Sequence, residues 1–181
     1  MKLSIKTIVF AGLFAALACI ATMFVPINLG IPGYYHAGDS MVFLCGIVLG
    51  PTVGGLAAAI GSAMADVFAG YAAYAVPTFL IKGIDAFAAG FIFMKIVGEN
   101  GGVQKKVMAF LAAAAAGCLV VVTGYFLVEV LFSGFGGALT TIVPNIVQVL
   151  VGAVLAALIY SVLDKAGVVK MINREVKESV K

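Results

Sequence analysis

A small set of polar and aromatic side chains interrupts the apolar stretches of this 181-residue sequence. An ionisable group among lipid costs several kcal/mol unless it pairs or faces water, so such groups mark candidate functional sites. Tyrosine adds an apolar face and a hydroxyl, and tyrosines together with a few amide and charged groups suit a pocket for a small solute. The candidate solute-binding residues are Tyr34, His36, Asp39, Tyr71, Tyr74, Lys82, Glu129, Asn145 and Gln148.

The composition indicates which elements must position these residues. The sequence is 64% hydrophobic and 10% charged, whereas about a quarter of the residues in a soluble domain are charged. This balance excludes a water-soluble enzyme, a disordered chain and a nucleic-acid binder. It predicts an all-α, polytopic membrane protein that forms one membrane domain over residues 1–181.

Turn signals divide the apolar sequence into six transmembrane helices. Ten of the eleven basic residues lie at the N-terminus, in the 95–106 connection or in the C-terminal tail, so the positive-inside rule places both termini in the cytoplasm. The stretch 41–69 then begins and ends outside, which requires an inner turn at Gly50-Pro51 and a second helix too short to span alone. The predicted helices are about residues 7–25, 40–50, 52–69, 77–97, 107–132 and 142–163, with a cytoplasmic tail over 164–181.

On this topology the candidate residues gather in the external half of the membrane, together with Asp66 and Asp85. The inner halves of the helices carry almost nothing ionisable. A proton pump or an ion channel needs polar groups through the full thickness of the membrane. The distribution therefore favours a receptor whose pocket opens outward above an apolar floor.

Several of these residues also have a purely structural interpretation. Lys82 and Asp85 are spaced i,i+3 on one helix and could neutralise each other. Asp39 could cap the N-terminus of the second helix. Tyr71 and Tyr74 could belong to an interfacial aromatic belt.

The polar residues of the last two helices are a separate case. Asn145 and Gln148 could make hydrogen bonds between helices. Glu129 is isolated among valines with Tyr125 one turn below, and we expect it to contact a ligand.

Motifs for catalysis and for metal binding are missing from the sequence. It has no phosphate-binding loop and no set of nucleophile, base and orienting residue. A single histidine and three scattered cysteines do not make a metal site. We therefore expect no cofactor and no enzymatic activity, so uphill transport would draw on an ion gradient or on partner subunits.

Several spaced motifs resemble the substrate-binding S components of energy-coupling factor (ECF) vitamin transporters, a family of ABC importers. The similarity is strongest to the riboflavin-type group, which includes hydroxymethylpyrimidine and pyridoxine carriers. The motifs are Gly33-Tyr34-Tyr35-His36-Ala37-Gly38-Asp39, Leu49-Gly50-Pro51, Ile60-Gly61-Ser62-Ala63, Gly70-Tyr71 and Ile81-Lys82-Gly83.

The resemblance implies that the chain captures a vitamin from outside and then docks onto an ATP-driven module. That module comprises a transmembrane coupling subunit (EcfT type) and two cytoplasmic ATPase subunits. The resemblance also implies docking through Ala11 and Ala15 of the first helix. Ordinary helix packing inside the protein is an equally plausible role for this Ala-xxx-Ala pair.

The charges narrow the choice of vitamin. The external cluster holds four carboxylates against Lys82, and the single arginine lies in the tail. A carboxylate vitamin would need a fixed cation, ideally arginine, so we expect a neutral or weakly cationic pyridine or pyrimidine, such as hydroxymethylpyrimidine or pyridoxine. The alternatives are riboflavin or another vitamin, or a stand-alone proton-coupled carrier.

Overall fold

The computed structural model describes residues 3–24, 36–98 and 101–180, and nearly all of these residues are helical. The first four helices are α1 (Ile5–Phe24), α2 (Gly38–Leu49), α3 (Pro51–Phe68) and α4 (Ala75–Val97), with a single 3-10 turn, Ala72–Tyr74, before α4. A long helical element follows over Val103–Lys165, and the last helix is Val168–Val180.

A break at Gly134 divides the long element into two helices. Gly134 has φ 76° and ψ 175°, a left-handed conformation that glycine adopts without the steric cost of a Cβ. We call residues 103–133 α5, residues 135–165 α6 and Val168–Val180 α7. The two long helices form a hairpin. Its open ends lie close together, since Lys106 near the start of α5 pairs with Asp164 near the end of α6, with 2.6 Å between Nζ and Oδ2.

Two connections differ from the sequence prediction. The loop expected over 133–141 is reduced to the one glycine at 134. The tail expected over 164–181 contains helix α7, because Val169, Ile172 and Val176 lie on one face and are buried against the body of the protein. The inner turn at Gly50-Pro51 is confirmed: α2 ends at Leu49, and α3 begins at Pro51.

The apolar helices match the dimensions of a membrane. Among the described residues, α1, α3 and the Val103–Lys165 element are long and apolar enough to cross a bilayer. Helix α2 has 12 residues, which extend about 18 Å, less than the roughly 30 Å of a hydrocarbon core. The sequence predicts a second helix too short to span alone; the structure adds that it lies in the centre of the bundle with nearly every residue buried.

Glycines bring the helices around α2 into backbone contact. A Cβ at Gly46 would overlap the carbonyl oxygen of Ala86 on α4, and a Cβ at Gly54 of α3 would overlap the carbonyl of Cys45. Closely approaching backbones gain van der Waals contact, which drives helix association where lipid offers no hydrophobic effect. The position of α2 is therefore set by glycines on its own surface and on its neighbours.

The start of α1 and helix α7 lie at the same end of the bundle. Lys6 pairs with Glu175 at 2.9 Å, and the buried Thr7 hydroxyl lies 2.9 Å from that of Ser179. These contacts hold both ends of the described chain on one side of the membrane. The concentration of basic residues there identifies this side as cytoplasmic.

Replacing Gly46 with Ala should lower the stability of the protein by about 1–3 kcal/mol, because the new methyl group forces α2 away from α4. The matched control is Gly12→Ala on α1, since a Cβ at Gly12 meets no atom within 4 Å. Thermal unfolding in detergent measures both variants. Equal melting temperatures for the two would contradict the proposed close crossing.

Candidate functional site

One face of α4 and of the turn before it carries a column of polar side chains. Tyr74, Thr78, Lys82 and Asp85 follow one another at helical spacing. The eleven residue-to-residue steps from Tyr74 to Asp85, at about 1.5 Å each, make this column about 16 Å long. It runs from the external end of α4 into the middle of the bundle, facing α5 for most of its length.

The upper level of the column centres on Glu129 of α5. The Tyr74 hydroxyl donates a hydrogen bond to Glu129 Oε1 at 2.6 Å, and Ser133 Oγ donates one to Oε2 at 2.9 Å. The Phe132 ring meets the Tyr74 ring edge-on, with centroids 5.1 Å apart. Tyr74 and Glu129 are half-buried, so this level combines aromatic faces with an oriented carboxylate that solvent can reach.

The middle level joins α3, α4 and α5 through Thr78. Its hydroxyl lies 3.0 Å from the Tyr125 hydroxyl and also interacts with the carboxylate of Asp66 on α3. Asp66 Oδ2 is buried and has no hydrogen-bond partner among the residues that the structure describes. The carboxylate therefore has unused hydrogen-bonding capacity directly beside Thr78.

The lower level is a closed, charged cluster. Lys82 Nζ lies 2.5 Å from Asp39 Oδ1, and the two side chains are 3% and 0% exposed. Gln148 of α6 donates a hydrogen bond from Nε2 to Asp39 Oδ2 at 3.2 Å. The Lys82 ammonium also lies 5.4 Å from the centre of the Tyr125 ring, within the range of a cation–π interaction. Three helices, α2, α4 and α6, are thus joined through Asp39.

Two structural interpretations of the sequence are wrong at this level, and one is confirmed. Lys82 does not pair with Asp85, whose carboxylate oxygens have no hydrogen-bond partner in the part of the chain that the structure describes. The partner of Lys82 is Asp39, which reaches it from another helix. Among the described residues, Asp39 makes no capping bond at the start of α2; its two oxygens are directed towards Lys82 and Gln148 instead. The bond from Gln148 confirms the interpretation as an interhelical hydrogen bond.

His36 lies in the segment just before α2 and is neutral. Its Nδ1 accepts a hydrogen bond from the backbone N–H of Gly38 at 3.1 Å, so that nitrogen carries no proton. Burial is the main cause that lowers the pKa of His36 to about 4, which agrees with this geometry. His36 therefore supplies no charge to the site at neutral pH.

The remaining predicted site residues lie at or beyond the edge of this cluster. Tyr71 is 63% exposed at the external end of α3. Asn145 is half-buried on α6, one turn from Gln148 on the same face. Tyr34 lies outside the described residues. Conversely, Thr78 and Tyr125 belong to the column but were not among the candidates, although Tyr125 is spaced i,i+4 with Glu129.

The predicted docking pair on α1 packs inward. Ala11 and Ala15 are partly buried against the core, and a Cβ at Gly61 of α3 would overlap the Ala15 carbonyl. The exposed small residues of α1 are instead Gly12 and Ala16, also spaced i,i+4. Ala15 therefore takes part in an internal α1–α3 crossing, the packing role that the sequence also allowed.

Below the column, the inner half of the bundle is lined with aromatic side chains. The rings of Phe93, Phe110 and Tyr160 meet edge-on with centroids 5.1–5.6 Å apart. Among the described residues, no group of three or more His, Cys, Asp or Glu side chains could hold a metal ion. Polar side chains therefore lie towards the external end of the bundle, above an inner half that is mainly apolar.

Comparison with known proteins gives three matches. A family model described as "ECF-type riboflavin transporter, S component" matches residues 2–165. An uncharacterized protein of Pyrococcus woesei is 34% identical over 147 residues, covering 81% of this chain and 93% of that protein. The thiamine precursor transporter HmpT of Lactococcus lactis subsp. cremoris is 32% identical over 127 residues, covering 70% of this chain and 65% of HmpT.

Replacing Lys82 with Met should lower the free energy of unfolding by about 3–5 kcal/mol, because Asp39 would keep a buried carboxylate without a counter-ion. Thermal unfolding in detergent should show a loss of roughly 10 °C. Lys105→Met is the control, since Lys105 is exposed on α5 and its loss should change stability by less than about 0.5 kcal/mol. Wild-type melting of the Lys82 variant would contradict the structural role of the ion pair.

Proposed function

Because the chain belongs to the S components of ECF-type riboflavin transporters, we propose that it captures a neutral or weakly cationic pyrimidine or pyridine vitamin precursor from outside the cell. Hydroxymethylpyrimidine and pyridoxine are the leading candidates. The chain is a multi-pass membrane protein of a vitamin-binding family. The name of its relative HmpT, a thiamine precursor transporter, supports a small ring as the substrate.

The observation that carries this proposal is the charge balance of the polar column. Its cation, Lys82, is already paired with Asp39, while among the described residues the carboxylates of Asp66, Asp85 and Glu129 have no cationic partner within 4 Å. A carboxylate ligand would enter an excess of negative charge. A ring that carries amino or hydroxyl donors would find acceptors.

The upper level of the column offers the contacts that such a ring needs. Tyr74 and Phe132 supply aromatic faces, and Glu129 is held by two hydroxyl donors. A carboxylate has about four acceptor positions, so Glu129 can accept a further bond from an amino or hydroxyl group. We propose that Glu129 accepts a hydrogen bond from the amino or hydroxyl group of the ligand. The Tyr74 ring stacks on the ring of the ligand, and Asn145 contacts the ligand from α6.

Other candidate residues have supporting roles in this proposal. Lys82, Asp39 and Gln148 form the floor of the site and hold it together. Neutral His36 and exposed Tyr71 lie at its external edge and could reach a ligand as it enters. Tyr34 is proposed to contribute from the segment before His36, on the basis of the sequence motif.

Riboflavin is the second candidate, and the description of the matching family favours it. Its isoalloxazine is also an uncharged aromatic ring system, so the charge argument admits it. Its larger size distinguishes it from a single pyrimidine ring, and a direct comparison of binding decides between the two.

Energy for transport is proposed to come from partner subunits, since an S component works with an ECF module. We propose that the module contains a transmembrane coupling subunit (EcfT type) and two cytoplasmic ATPase subunits that hydrolyse ATP, while this chain is not an enzyme. Helix α1 has the exposure that docking requires, with Gly12 and Ala16 open to the lipid.

Glu129→Gln should weaken binding of hydroxymethylpyrimidine or pyridoxine at least several-fold, because an amide lacks the charge that strengthens a hydrogen bond to an amino donor. Isothermal titration with hydroxymethylpyrimidine, pyridoxine, riboflavin and pantothenate measures the wild type and the variant. The control is Glu178→Gln on exposed α7. Tight binding of pantothenate alone would reject the charge argument, and unchanged affinity in the variant would remove Glu129 from the site.

Gly12→Leu should preserve ligand binding and abolish uptake, because a bulky side chain would obstruct the exposed small-residue face of α1. The assay is vitamin uptake into vesicles that contain the chain with or without an ECF module. Ala15→Leu is the comparison: it should reduce both binding and uptake, since it disrupts the α1–α3 crossing. Proton-driven uptake by the chain alone would instead identify a stand-alone carrier.

A further inference from the structure

Asp85 is a fully buried acidic residue in the middle of the bundle. It is 0% exposed, and neither carboxylate oxygen has a hydrogen-bond partner within residues 3–24, 36–98 and 101–180. A buried polar group without a partner costs free energy that the fold must offset elsewhere. Asp85 contributes to the negative charge of the polar column but has no proposed contact with the ligand, and it lies deeper than Lys82 on α4.

The surroundings of Asp85 preserve space for its carboxylate. It faces Gly117 of α5, where a Cβ would lie 2.9 Å from Asp85 Oδ1 and 3.0 Å from the ring of Phe43. Any larger residue at position 117 would crowd the carboxylate. The close packing leaves Asp85 enclosed by apolar groups on this side, so a charged partner must come from another direction.

Lys82 is that partner. It is spaced i,i+3 from Asp85, a separation that brings side chains together on one helix face, and the two groups interact electrostatically. The lysine side chain is a flexible four-carbon stem with a compact charge at its end. A change of rotamer can therefore carry the ammonium from one carboxylate towards the other.

We infer that Asp85 is a second counter-ion of Lys82 and that the ammonium can move from Asp39 on α2 to Asp85 on α4. With Lys82 on Asp39, the ion pair joins two helices. With Lys82 on Asp85, the pair lies within α4, and α2 keeps only the Gln148 bond to Asp39. Asp85 is thus a positioning residue that makes the α2–α4 connection reversible.

The consequence concerns the external end of α2. Asp39 is the second residue of that helix, directly after the segment that contains His36. Release of Asp39 loosens this end of α2 while the lysine stays paired with Asp85. Asp39 must then bind a proton, because a buried carboxylate without a counter-ion carries a large desolvation cost.

Three variants test the inference by thermal unfolding of the full chain in detergent, and the test does not depend on which ligand binds. Asp39→Asn and Asp85→Asn should each fold, with melting temperatures lowered by only a few degrees, because the other carboxylate holds Lys82. The double variant leaves the Lys82 ammonium without a carboxylate partner. Its melting temperature should fall by about 10 °C, or the protein should fail to fold, which is far more than the sum of the single changes.

The control for packing damage is the triple variant in which Lys82→Met is added to the double one. It removes the stranded charge and should recover most of the lost stability. If Asp39→Asn alone is as damaging as the double variant, Asp85 cannot take over and the inference is rejected. Additive effects of the two single variants, or failure of the triple variant to recover, would reject it as well.

Discussion

The ion pair between Lys82 and Asp39 holds the centre of this membrane protein together. It joins α4 to α2, while Gln148 extends the connection to α6. Neither group could remain charged alone among apolar side chains, because the desolvation of a single buried ion costs several kcal/mol. The position of the short helix α2 depends on this interaction, and the external part of the proposed ligand site lies directly above it.

Close backbone packing also stabilises the bundle. Gly46 and Gly54 let α2 approach α4 and α3, and Gly152 does the same for α6, where a Cβ would lie 2.6 Å from Asp39 Cβ. These contacts are short because glycine presents no side chain. The glycines therefore determine how near Asp39 comes to its partners on α4 and α6, so the charged cluster and the small residues act together.

The sequence predicts the overall architecture well, because hydropathy and the positions of basic residues can be read along the chain without knowing how the helices pack. The six apolar helices, the short second one and the Gly50-Pro51 turn can all be derived in this way, and the family resemblance of the motifs is confirmed. The glycine-rich segment after Ser133 resembles a loop, but only Gly134 leaves the helical conformation. Which residue absorbs the turn depends on the packing of α5 against α6.

The pairing of side chains was harder to predict. A helical spacing suggests Lys82 with Asp85, since both lie on α4, whereas the observed partner comes from a helix 43 positions earlier in the sequence. Likewise, Thr78 meets Tyr125 only because α4 and α5 run antiparallel in one particular register. A single sequence taken by itself contains no direct signal for such a register. The roles of Glu129, Tyr74 and Asn145 towards a ligand stay predictions.

The neutrality of the buried pair has a consequence for the response to membrane voltage. Moving one elementary charge through a potential of 100 mV changes its energy by about 2.3 kcal/mol. Lys82 and Asp39 carry opposite charges 2.5 Å apart, so the work done on one cancels the work done on the other when they move together. Displacement of the pair as a unit across the bilayer is therefore neither driven nor opposed by the transmembrane field.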